Sequence, residues 1–153
     1  MTNSSLLMAI LDQSLREFGF KKKSSSWYRS SNDVVQVVNL QRSQYGNQYY
    51  FNCGIGIKGL GLPDFPKEQQ CHIRFRAASV VPDETRSKIE AIFDLDNDDF
   101  LDDERSREAL SLVEEVLLPI LNRCSSKNGI IDSIKNGVFV RAMIHKDIKD
   151  LII

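Results

Sequence analysis

Apolar residues recur along this chain with two different periods, and the switches between them outline its organisation. From Asn3 to Phe18 the residues Leu7, Ile10, Leu11, Leu15 and Phe18 fall at helical spacing. Asp12, Gln13, Arg16 and Glu17 take the other flank. Ser4 or Ser5 supplies a cap, Gly19 suits the left-handed residue that closes a helix, and Phe20 is expected to fold back on its end. Lys21–Lys23 and Ser24–Ser26 read as a polar turn into the first strand.

The period then drops to two. Trp27–Arg29 predicts a short strand, and Val34–Gln41 a second, rich in valine. Gly46 relieves the turn over 44–47. Gln48–Ile57 alternates most clearly: Tyr49, Phe51, Cys53, Ile55 and Ile57 share one face, and Tyr50, Asn52, Gly54 and Gly56 the other. Lys58–Gln70 reads as a loop. Cys71–Ala78 alternates again, with Cys71, Ile73, Phe75 and Ala77 inward and His72, Arg74 and Arg76 outward.

Helical spacing returns after Pro82. Asp83–Phe93 predicts one helix. Asp102–Arg123 predicts a longer one, striped by Ala109, Leu112, Val113, Val116, Leu117, Ile120 and Leu121 and interrupted by Pro119, which bends it or detaches its last turn. Asn128–Asn136 and Ala142–Leu151 predict short terminal helices, while Gly137–Arg141 fits a strand equally well. Short connections between alternating segments favour a meander, and its apolar face needs a cover. The expectation is an α+β fold: an antiparallel sheet of three to four strands with helices packed on one face.

Length and charge narrow this picture. The 153 residues make one domain, 1–153, large enough to fold without metal or disulfide. Ten Lys/Arg and five Asp/Glu lie in residues 1–80, a net of +5, against ten and sixteen in 81–153, a net of −6. The formal net charge of −1 creates no whole-molecule field for nucleic acid or anionic membrane. Cys53, Cys71 and Cys124 form no CxxC, which favours reduced core thiols. The amino terminus has no positive leader, and no stretch approaches the roughly 20 apolar residues of a membrane span, so the cytoplasm is expected.

Several segments together resemble a known family. Phe18–Gly19–Phe20–Lys21, Trp27–Tyr28–Arg29, VVQVVNLQRSQYGNQYYFNCGI over 34–55 and CHIRFR over 71–76 are similar to the bacterial family of uncharacterised domains numbered 4304. The resemblance implies a compact α+β domain and no established chemistry, cofactor or partner. The family's pattern does not explain the acidic segment at 94–104.

Two surfaces are candidates for function. On adjacent strands, Asn39, Gln41, Tyr50, Asn52, His72, Arg74 and Arg76 share one face, where amides and guanidinium groups offer directional bonds to a carboxylate or phosphate. The plain alternative is the wet side of an antiparallel sheet, with a solvent-facing His72. Nucleic acid would stack on Tyr50 beside Lys21–Lys23, Arg42, Arg74 and Arg76, but no RNP-like run or finger spacing supports it.

The second surface is the acidic patch Asp94, Asp96, Asp98, Asp99, Asp102, Asp103 and Glu104. Asp94, Asp96 and Asp98 match the first, third and fifth positions of a calcium loop. Asp99 stands where the sixth needs Gly, and Arg105 where the twelfth needs Glu. No metal site is therefore expected, and the last acidic residues suit the amino end of a helix. No HExxH, Walker loop, GxGxxG or GxSxG occurs, so neither a cofactor nor a catalytic set is indicated. The reading is a non-catalytic protein-interaction domain. Its alternatives are a small-ligand or enzymatic domain using the sheet face, and an immunity-like inhibitor of a toxin.

Overall fold

The computed structural model describes residues 4–151. Asn3, the expected start of the first helix, lies outside them. Helix α1 (Ser4–Glu17) buries Leu7, Leu11, Ser14 and Leu15. Its end closes as the pattern predicts: Gly19 has φ 93°, and the Phe20 amide donates to the Leu15 carbonyl at 3.0 Å. Phe20 is buried, whereas Phe18, on the far side of that turn, is exposed.

Six strands follow one another in a single antiparallel meander: β1 (Lys21–Lys23), β2 (Ser26–Ser30), β3 (Val34–Arg42), β4 (Tyr49–Ile57), β5 (Ile73–Arg76) and β6 (Met143–Ile144). This corrects the expected three to four strands. The two additions are the edges. Lys21–Lys23 is no turn but pairs with β2, Lys22 opposite Trp27, and Met143–Ile144 pairs with β5. Strands of three and two residues are too short to carry an alternation to read, and lysines at an edge discourage further pairing. The expected Ala142–Leu151 helix shrinks to α6 (Lys146–Lys149), and residues 137–141 are a turn, neither strand nor helix.

The helices pack on the face carrying Trp27, Val34, Val38, Phe51, Cys53, Ile55, Ile73 and Phe75, all buried. α2 (Asp83–Ile92), α3 (Asp102–Ser111), a π-helical turn Leu112–Leu117 and α4 (Leu118–Arg123) realise the two predicted helices. The π turn sits just before Pro119, which lacks the amide that a regular ladder requires, so the rod continues by widening rather than breaking. α5 (Lys127–Lys135) starts at Ser126, whose Oγ accepts from the Gly129 amide at 3.0 Å.

Polar bolts fix the layers. Trp27 Nε1 donates to Asp12 Oδ1 at 2.8 Å, joining β2 to α1. That hydrogen bond, and then Arg16, hold the Asp12 carboxyl below its ordinary value. Buried Gln36 donates to the Leu121 carbonyl at 2.6 Å and accepts from Arg29 at 2.9 Å, joining β3 to α4.

The opposite face is not simply wet. Over half of it the 58–71 segment lies directly on the sheet, burying Val35, Val37, Gly54 and Gly56. A Cβ at Gly54 would stand 2.8 Å from Cys71 Sγ, and one at Gly56 would overlap Leu62. Cys71, expected to point inward from a strand, instead seals this second face, and β5 begins only at Ile73. The alternation assigns Phe51 and Phe75 to one face and Asn52 and Arg74 to the other, as observed. Gly54→Ala is expected to destabilise the fold by about 1–3 kcal/mol through overpacking. Adding Cys71→Ala should recover part of that loss in urea denaturation, whereas simple additivity of the two changes would rule out this contact.

Candidate functional site

The uncovered half of the second face belongs to the far ends of β3, β4 and β5. Pairing sets Asn39 opposite Asn52, Gln41 opposite Tyr50 and Asn52 opposite Arg76. Asn52 is only 7% exposed. Its Nδ2 donates to Asn39 Oδ1 at 3.1 Å and to Gln41 Oε1 at 2.8 Å, so Asn52 spends both its donors on its neighbours and ties the three amides into one platform.

The arginines above the platform differ in their surroundings. Arg74 Nε reaches Glu68 Oε1 at 3.4 Å, a carboxylate delivered by the turn Glu68–Gln70. Arg76 is exposed and sits over Tyr50, its guanidinium carbon 3.8 Å from the ring centroid. Among the described residues no carboxylate pairs with Arg76. A cleft of about 240 Å³ runs beside this group, lined by Gln41, Asn52, Glu68, Arg74, Arg76 and, from the turn before β6, Arg141. Glu68 and Arg141 were missed by sequence reasoning. Glu68 sits in a loop without periodicity, and Arg141 comes from the segment whose conformation stayed open.

His72 departs from its expected place. It lies at the opposite end of β5 from Arg76 and is 4% exposed, not solvent-facing. Its Nδ1 accepts the Ile57 amide at 3.0 Å, which leaves Nε2–H to face the Leu60 carbonyl at 3.4 Å. His145 packs edge-on at 5.9 Å between centroids. Burial lowers the His72 pKa. Of the expected set, then, Asn39, Gln41, Tyr50, Asn52, Arg74 and Arg76 come together, and His72 belongs to the covered half.

The acidic segment is organised by the residue that breaks the calcium pattern. Arg105, 2% exposed, donates to the carbonyls of Ala91, Ile92, Asp94 and Asn97. Two of these are carbonyls at the end of α2, so the guanidinium caps that helix from α3. Asp94 Oδ1 accepts the Asp96 amide at 3.1 Å, and Asp96 Oδ1 accepts Asn47 Nδ2 at 2.8 Å, tying the segment to the β3–β4 turn. Asp102, Asp103 and Glu104 occupy the first turn of α3, as its dipole favours, with Asp98 and Asp99 exposed before them. Among the described residues no group of three His, Cys, Asp or Glu is placed to hold a metal ion.

A family model described as a domain of unknown function, DUF4304, matches residues 11–123. The chain belongs to the DUF4304 family. No curated protein and no solved structure matches it. The DUF4304 match runs from within α1 to the end of α4 and includes the amide platform, Arg74, Arg76, the acidic segment at 94–104 and Arg105, but stops short of Arg141. No helix among the described residues is long and apolar enough to cross a membrane.

Two outcomes test these assignments. Arg105→Met removes a buried donor shared by the carbonyls of Ala91, Ile92, Asp94 and Asn97 and should cost about 3 kcal/mol in chemical denaturation. Lys at 105 should not restore it, since an ammonium cannot span the same fan of acceptors. The His72 ring should titrate below its ordinary value of about 6.5. With the folded pKa depressed, the ring's contribution to stability is full above the unfolded pKa and is lost as pH falls through the folded one. Nitrogen-resolved NMR of the imidazole should show Nε2 protonated throughout the neutral range.

Proposed function

We propose that this DUF4304 domain is a non-catalytic protein-interaction module that docks an acidic partner on the Gln41, Tyr50, Asn52, Arg74 and Arg76 face. The observation that carries this reading is Arg76: exposed, stacked on Tyr50, and paired with no carboxylate among the described residues. Stacking pre-orients its fork of donors, so a carboxylate meets it with less lost rotamer freedom. Tyr and Arg are also the side chains through which protein contacts gain most of their energy. The amides tied together through Asn52 give a partner a firm floor.

The cysteines and His72 lend no support to nucleophilic chemistry on this face. Cys53, Cys71 and Cys124 are buried, and burial raises all three thiols, Cys71 to about 12. His72 is bonded to backbone on the covered half of the sheet. The three unpaired cysteines also support a reducing compartment, the cytoplasm. The acidic patch is the weaker docking surface, because Asp94 and Asp96 already hold their own loop. That weighs against an immunity-like contact with a basic toxin.

Affinity capture from native lysate tests the reading when run with wild type, Arg76→Glu, and a variant with Asp98, Asp99 and Asp103 neutralised. The Arg76→Glu protein should lose a captured partner that the acidic-patch variant keeps, and capture should weaken as salt rises. Retention of every captured protein by Arg76→Glu would defeat this reading.

A further inference from the structure

Beyond the docking face, where β4 begins and β5 ends, a second cleft of about 240 Å³ opens between the sheet end, the turn Ala77–Val80 and α2. Its floor is apolar: Phe51, Ile89 and Phe93 are all buried. Its rim is cationic, formed by Arg76, Arg86 and Arg141. We propose that this cleft binds a small organic monocarboxylate, with a compact apolar body against Phe51, Ile89 and Phe93 and its carboxylate between Arg76 and Arg141.

Charge at the rim favours an anion. Arg86 Nη2 and Arg141 Nη1 share one oxygen of Asp83, at 3.1 and 3.0 Å, and Arg76 sits over the Tyr50 ring with no carboxylate partner among the described residues. Asp83 is largely exposed, so this shared ion pair contributes little and yields readily to an incoming carboxylate. Arg76, Ser79 and Arg141 also line the neighbouring cleft, which places both arginines where the two depressions meet.

The rest of the lining selects among anions. Glu90 and Asp83 keep the site from being strongly positive, which disfavours a dianion. The apolar floor gives no partner to a bare inorganic ion and rewards an apolar body. The volume falls below the roughly 300–1,000 Å³ of drug-sized sites, so the ligand is compact. This site lies behind the docking surface and shares Arg76 with it. Its occupancy does not require a protein partner.

Amide-resolved NMR titration of the whole chain provides the test, with benzoate and hexanoate as probes and benzamide and inorganic phosphate as controls. Benzoate or hexanoate should saturate with a dissociation constant of about 1 mM or tighter, shifting the amides of Arg76, Ser79 and Phe93. Benzamide should bind at least about tenfold more weakly, because it lacks the charge that the guanidinium groups pair with. Arg141→Gln, at an exposed turn position, should keep the wild-type spectrum yet lose affinity about tenfold, and Arg76→Gln serves as a second variant. Failure of both acids to saturate would overturn the proposal. So would equal binding of benzamide, equal binding of phosphate, or unchanged acid affinity in both folded variants. Loss of carboxylate binding with protein capture intact would remove this site alone, leaving the docking face standing.

Discussion

The 58–71 segment can lie on the sheet only because positions 54 and 56 carry no side chain, and much of the remaining structure follows from that approach. With glycine there, Cys71 and Leu62 reach the strand backbone and seal a second apolar layer beneath Val35 and Val37. The same segment carries His72 into a buried position, where its ring takes the Ile57 amide. It also ends in the turn that delivers Glu68 to Arg74. The covered half of this face thus becomes core, and the polar platform is confined to the other half, near the β3–β4 turn.

A single guanidinium gives the helical layer a comparable anchor. Arg105 gathers carbonyls from the end of α2 and from the acidic segment, so the chain turns tightly from α2 into α3. The segment is tied at its other side to Asn47 and to Gln48, which pairs with Asp94. Together these contacts hold α2 against the sheet end, and that placement forms the wall of the cleft lined by Arg76, Arg86 and Arg141. A cluster that resembles an incomplete cation loop is, in the fold, a loop completed by the protein's own cation.

The arginines therefore separate by environment rather than by residue type. Arg105 is internal, Arg29 is bonded to Gln36 and Asn122, and Arg74 has Glu68. Arg86 and Arg141 divide one carboxylate. Arg76 is left with an aromatic ring. Electrostatic pairing is strongest where a group is least satisfied and still reachable, which is why both functional proposals converge on this one side chain.

Period and punctuation were enough to place α1 with its glycine closure, the strands β2 to β5 and the helices α2 to α4, because each of those elements sets an apolar face against the core and so imprints a repeat on the sequence. The same alternation put Asn39, Gln41, Tyr50, Asn52, Arg74 and Arg76 on a shared face. β1 and β6 left no imprint, since strands of three and two residues are too short to show an alternation. Whether the polar side of the sheet was wet, where His72 pointed, and which acid met which arginine depended on contacts between residues far apart in sequence. Glu68, Arg105 and Arg141 acquire their roles only through such contacts, and no local pattern encodes the approach of a loop or a helix end. Local repeats determined the layers, and long-range packing decided which polar groups were left open to solvent.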